Sequence, residues 1–223
     1  MDITLLGTGS PIPDPNRAGP STLVRAADQV ILCDAGRGVV MRLAGAFAGP
    51  AALSAILVTH LHSDHLTDLN DVITTRWIMS TESAPITIYG PVGLNFVVTK
   101  MMEMLSLDVG YRMDHHDDLN EPPVVNVVEV TPGDTFSIGD VSVRVGATNH
   151  HEASTTKTLS EVTVEWCSEV DVLQHARTHV VLLTSLCGTK IFQHHRHATK
   201  WAIGQRALGL RASRIELLVD DGV

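Results

Sequence analysis

The stretch Thr59-His60-Leu61-His62-Ser63-Asp64-His65 limits what this chain can fold into more than any other. It follows the apolar run Ala55-Ile56-Leu57-Val58, which reads as a buried strand. Beyond it, Leu66, Leu69, Ile73 and Trp77 recur at helical spacing. The motif is therefore expected on a turn between the end of a strand and the start of a helix.

The spacing has a chemical reading. Histidines two apart in an extended segment project to the same side, so His60 and His62 can grip one metal ion. The chain then turns, and Asp64 and His65 face a second position beside the first. Imidazole nitrogen and carboxylate oxygen both suit zinc, at roughly 2.0–2.2 Å. Two ions about 3.5–4 Å apart can hold a bridging hydroxide and polarise a substrate oxygen. Read blandly, the stretch is a polar, solvated loop. Four ligand-type residues within six positions argue against that.

Together with the opening Leu5-Leu6-Gly7-Thr8-Gly9-Ser10, the motif resembles the metallo-β-lactamase-fold hydrolases, and within them the ribonuclease Z and arylsulfatase-like branch. The resemblance covers about residues 1–155. It is specific for the superfamily and weakly specific for substrate. It implies the α/β class and an αββα sandwich, in which two sheets pack face to face between helices. One domain over residues 1–223 is expected, with a family-like half to residue 155 and a divergent tail over 156–223.

The resemblance also implies zinc, as two ions where the site is complete. His60, His62 and His150 would hold the first, and Asp64 and His65 the second. Asp64 would also orient the nucleophile, a metal-bound hydroxide. His150 follows Thr148-Asn149 at the end of a strand, where the family brings its third histidine, and the neighbouring His151 stays open. The leading substrate class is a phosphodiester in RNA, as in tRNA 3′-end processing. Arylsulfatase or lactonase activity is the alternative within enzymes. From another class comes a non-catalytic metal-binding protein with an incomplete site. Relatives of this kind are often homodimers.

Composition narrows the partners. The chain has 223 residues, enough for one sizeable core, with 44% hydrophobic and 18% charged residues. No apolar run approaches the roughly 20 residues of a membrane span. The start, Met1-Asp2-Ile3, has no basic segment or signal-peptide core, so a cytoplasmic protein without a membrane partner is expected. Cys33, Cys167 and Cys187 show no paired spacing and read as free thiols. Net charge is −9 but uneven. Through residue 171 there are 22 Asp or Glu against nine Lys or Arg, a balance of −13. From Val172 to Ile215 there are seven Lys or Arg and no acid. An acidic body disfavours nucleic acid unless a local basic patch overrides it.

In chain order, Ile3–Leu6, Ser21–Arg25 and Gln29–Cys33 read as strands, the last two as a hairpin about Ala26-Ala27-Asp28. Between the first two lies a loop with Pro11, Pro13, Pro15 and Pro20. Asp34 either caps the helix expected near Val39–Phe47 or orients a metal-bound histidine. Asp68 and Asp71 read as solvated or capping residues. Ile86–Tyr89 is a strand, and Leu94, Val97, Val98, Met101 and Leu105 form a helical stripe in which the methionines are core. Residues 108–123, with Asp114-His115-His116-Asp117-Asp118, read as a charged loop over the site rim rather than a metal cluster. Val124–Val130 and Val141–Val145 are strands with turns between them.

After His150 the family pattern stops. No Gly-Asp-Thr supplies a bridging aspartate, and none of His175, His179, His194, His195 or His197 has the context of the last ligand. Strands are expected at 161–166, 180–186 and 215–219, and a helix at 198–210. Two explanations are open: a divergent tail that supplies unfamiliar ligands, or a changed reading frame near residues 152–160, which the loss of acidic residues and of pattern favours. A foreign second half would leave Val141, Val143 and Val145 poorly covered.

Overall fold

A computed structural model describes residues 1–80, 84–147, 159–166, 179–182 and 214–220. The chain opens with β1 (Asp2–Gly7), β2 (Ser21–Ala26) and β3 (Gln29–Cys33), an antiparallel meander. Ala27 and Asp28 both take positive φ, 44° and 60°, the geometry of a tight hairpin turn. Helix α1 (Val39–Gly45) and a 3-10 turn (Pro50–Ala52) lead to β4 (Ala55–Leu57). The expected first helix is therefore two residues shorter than the sequence pattern. Phe47 lies past its end at φ 54°, where a bulky residue cannot continue the helix.

After β4 come α2 (Ser63–Leu66) and α3 (Leu69–Met79). Strand β5 (Ile86–Gly90) is joined to β6 (Val125–Glu129) by the long helix α4 (Leu94–His115). Strands β3, β4, β5 and β6 run parallel, so the first sheet has the order β1-β2-β3-β4-β5-β6.

Helix α4 corrects the expected loop at 108–123, since residues 108–115 are helical. Their charge is compatible with helix because Asp108 pairs with Arg112 at i,i+4, N–O 2.9 Å, on the solvent side. Two methionines of this helix, Met101 and Met102, pack against the core.

The second sheet begins with β7 (Thr135–Ile138), a strand between two turns that the sequence pattern does not assign. It pairs antiparallel with β8 (Val141–Ala147) across Gly139, at φ 55°. Then β9 (Leu159–Trp166), β10 (His179–Leu182) and β11 (Arg214–Asp220) give the order β10-β11-β9-β8-β7 among the described residues. These three agree with the expected tail strands to within a few residues. The helix expected at 198–210 lies outside the described residues.

Two apolar layers hold the described part together. Leu23, Leu32, Ile56 and Ile88 point from the first sheet toward α1, α3 and α4, where Val39, Leu43, Leu69 and Val98 meet them. The alternate residues Val24, Ile31, Cys33, Ala55 and Leu57 point the other way, onto Ile138, Val141, Val143 and Val145. This corrects the expectation that the β8 valines are left bare. They are fully buried, and among the described residues the face that packs on them is made largely by residues 24–57.

Candidate metal centre

The site lies where β3 and β4 end, at the carboxyl edge of the parallel strands. A backbone hydrogen bond carries the pairing one step past β3, with Asp34 N–H donating to Leu57 O at 2.8 Å. There the chain leaves extended geometry. Thr59, His60 and Leu61 follow β4, and His62, at φ −66° and ψ 143°, is the last extended residue before α2. His65 N–H donates to His62 O at 3.0 Å and closes the first turn. The expected strand–turn–helix junction is present, with the strand one residue shorter than expected and Ser63, Asp64 and His65 already inside α2.

Three chain segments cross below this turn with no room for side chains. A Cβ on Gly36 would stand 2.6 Å from the Asp64 carbonyl oxygen and 2.6 Å from Pro20 N. A Cβ on Gly19 would meet Arg37 N at 2.5 Å. The glycines let the loop at 34–38 lie directly against the turn at 62–68, where Ala35 N–H donates to His65 O and Asp68 N–H to Ala35 O.

Asp34 is fully buried and stands at φ 60°, a conformation that Asp tolerates better than most residues. It does not cap α1, whose first turn starts at Gly38 with no side-chain cap. Its carboxylate accepts instead from Thr59 N–H at 2.8 Å, from the Thr59 hydroxyl and from His65 Nδ1–H at 2.7 Å. Of the two roles open for Asp34, orientation is the observed one. Because Thr59 Oγ1 donates to Asp34, it accepts from His60 Nδ1–H at 2.9 Å. One buried charge thus fixes the tautomer of two histidines and puts the lone pair of each on Nε2.

The two Nε2 atoms differ in their surroundings. His60 Nε2 lies 3.0 Å from His62 Nδ1. Among the described residues, His65 Nε2 is buried with no hydrogen-bond partner, 3.7 Å from Asp64 Oδ2. The His60 ring centroid is 4.6 Å from that of His62 and 4.0 Å from that of His65. Among the described residues no group of three His, Cys, Asp or Glu converges closely enough to hold an ion as it stands. His150 and His151 lie outside the described residues.

Burial pulls the His65 pKa down, but the Asp34 charge, the hydrogen bond to it and the Asp64 charge together hold it above the ordinary histidine value. Burial also pushes the Cys33 thiol well up, with Asp34 next to it adding to the effect, so this cysteine stays a neutral core group.

Asp68 is a further correction. It occupies the position before α3 without capping it, and its carboxylate accepts from Gly38 N–H, tying the loop at 34–38 to α3. Asp71 is exposed on α3, where it accepts from Thr75, as expected of a solvated residue. His115 and His116 fall at the end of α4 and join no metal-ligand group among the described residues. Thr59 is the residue the sequence reading passed over. Its only signal was its place between the strand and the first histidine.

This geometry can be set beside known proteins. The model of the beta-lactamase superfamily domain matches residues 29–198. The chain belongs to that superfamily.

Within the superfamily, the chain is 52% identical over 158 residues to a ribonuclease Z of Mycolicibacterium gilvum, covering 70% of this chain and 55% of that protein. It is 53% identical over 158 residues to a ribonuclease Z of Mycolicibacterium paratuberculosis, covering 70% of this chain and 56% of that protein. The chain thus spans little more than half the length of these relatives. Among solved structures it resembles the short form of human tRNase Z, at 24% identity and TM-score 0.58, over 74% of this chain and 65% of that one. A metallo-beta-lactamase fold protein of Bacillus subtilis superposes with TM-score 0.51 at 18% identity, over 73% of this chain and 56% of that one. The fold is that of the metallo-β-lactamases. Among the described residues no helix is long and apolar enough to cross a membrane.

Proposed function

We propose that this chain carries the metal-binding half of a hydrolase that cuts phosphodiesters in RNA, of the kind that trims the 3′ end of precursor tRNA in the cytoplasm. The observation that carries the reading is the buried, unpartnered Nε2 of His65, held by Asp34 and 3.7 Å from Asp64 Oδ2. Two donors that share one zinc at roughly 2.0–2.2 Å each stand about 3.4 Å apart at a tetrahedral angle. A buried ring nitrogen with no partner costs free energy unless something fills the gap. The donor set therefore fits a metal.

His60 and His62 would hold one zinc ion and His150 would complete it, while Asp64 and His65 would hold a second. Bound there, the metal would act as a Lewis acid toward a phosphoryl oxygen and supply a nucleophile near neutral pH. Asp34 keeps the His65 lone pair turned toward Asp64, and Thr59 does the same for His60. Asp64, at the buried start of α2, accepts a hydrogen bond from the attacking water and orients it. The substrate class rests on the ribonuclease Z relatives, about half identical over the matched residues. The reading extends to a homodimer, for which the exposed Phe96, Met104, Leu107 and Tyr111 offer an apolar seam along α4.

The test is cleavage of a precursor tRNA transcript with a 3′ trailer by zinc-loaded protein. The expected result is release of the trailer, reduced at least about 100-fold by His62→Ala, in line with the cost of losing a catalytic metal position. Protein that takes up zinc but leaves the trailer attached overturns the reading.

A further inference from the structure

Arg17, Arg37 and Arg42 line a shallow depression of about 350 Å³ with Pro15 and Met41. The gathering is unexpected on this body, which carries a balance of −13 through residue 171. Of the eight Lys or Arg between residues 1 and 144, several are engaged elsewhere. Arg25 donates to Ala46 O, Arg76 to the carbonyls of Pro50, Ala51 and Leu53, Lys100 to Glu103 and Arg112 to Asp108. The three around the depression are exposed; Arg17 pairs with Asp14 at 3.6 Å, and Asp68 accepts from Gly38 N–H at its edge. Three like charges at one edge repel, and the arrangement favours an anion between them.

The place of the depression suggests which anion. Arg37 follows Gly36, whose Cα lies against the Asp64 carbonyl, and Arg37 O accepts from Gly19 N–H. Gly38 N–H donates to Asp68. The floor of the arginine patch is thus the same loop that supports Asp64 and His65. We propose that Arg17, Arg37 and Arg42 form an anion subsite for a backbone phosphate of the polynucleotide next to the one that is cut. Guanidinium forks suit phosphate oxygens, and such contacts fix register without reading sequence. The proposal rests on the phosphodiesterase reading and adds to it where the substrate lies.

The test measures fluorescence anisotropy of a labelled tRNA ending at the processed 3′ terminus, which binds without being cut. Zinc-loaded protein is titrated between about 50 and 200 mM salt, a range over which phosphate contacts change affinity strongly. The double variant Arg37→Ala/Arg42→Ala is expected to bind at least about tenfold more weakly, with the log–log salt slope shallower by roughly 0.7–0.9 per arginine removed. Arg37→Lys/Arg42→Lys should recover most of the affinity, and Arg144→Ala, one exposed charge removed elsewhere, should stay within about twofold. If the alanine pair fails to melt cooperatively, Arg17→Ala is read by the same slope. An alanine pair that binds like Arg144→Ala with an unchanged slope overturns the subsite. In that case trailer cleavage by the wild type leaves the function reading standing. Wild type that neither binds nor cuts RNA overturns both.

Discussion

Asp34 shows how one residue can organise a site without facing it. Its carboxylate is sealed from water and its three partners are all on the motif, so its charge acts through His65 and Thr59. Asp34→Asn keeps the shape and removes the charge. The amide oxygen can still accept, but the NH2 that replaces the second oxygen turns donors toward a donor. Metal affinity is expected to fall about 10–100-fold, as for other groups that orient a ligand. Titration of the metal-free variant with zinc measures it.

The His65 shift gives that experiment a pH axis. In metal-free protein its pKa is raised, so the stability it contributes is full below the unfolded value and is lost as pH rises through the folded one. Metal uptake runs the other way, because it needs a neutral ring. Zinc binding to wild type should therefore strengthen as pH rises through the raised pKa, with release of a proton, and Asp34→Asn should move that dependence to lower pH. Calorimetry in two buffers of different ionisation enthalpy reads the proton count. An unmoved profile would separate His65 from the metal.

At the scale of elements, the junction after β4 depends on how closely three segments can pass. Gly36→Ala puts a methyl 2.6 Å from backbone atoms of Asp64, Gly19 and Pro20, none of which is a flexible side chain. Overpacking of this kind costs about 1–3 kcal/mol, or more where backbone must move. Gly110 in the middle of α4 has open space around it, so Gly110→Ala should stabilise by about 0.5–1 kcal/mol. Chemical denaturation of both variants should show changes of opposite sign. A neutral Gly36→Ala would mean that the loop and the motif turn are not locked together. The same elements show what pattern could reveal. β4 was legible because Ala55–Leu57 is buried on both faces and so reads as a continuous apolar run. β7 was not, because Thr135–Ile138 is four residues at the sheet edge with Ile138 alone fully buried.

For the whole molecule, the two apolar layers among the described residues are built largely from residues before the tail. β8 docks on a face made by residues 24–57, and β9 and β11 add to its sheet by backbone pairing, which asks little of sequence. The superfamily match reaches residue 198, whereas the ribonuclease Z likeness is carried by 158 residues. Two origins of the tail compete, a changed reading frame near residues 152–160 and a divergent sequence of this protein's own, and the acidic side chains end only after Asp171. Sequencing the coding DNA tests the first, with a ribonuclease Z-like second half expected in another frame. If no such half is present in either alternative frame, the tail is this protein's own divergent sequence.

The sequence by itself determined the superfamily, the βα junction and the histidine and aspartate residues on it, because ligand spacing and strand-to-helix periodicity are local properties. It also determined most strands of both sheets, from their runs of Val, Ile and Leu. Tertiary structure alone decided that Asp34 orients His65 rather than capping α1, and that Asp68 ties two loops together. It also decided that the β8 valines are covered from within the first half and that three arginines far apart in charge pattern share one depression. Each of these depends on which segments cross at a distance of a few ångströms, and the glycines that permit the crossing look the same in sequence as any turn glycine.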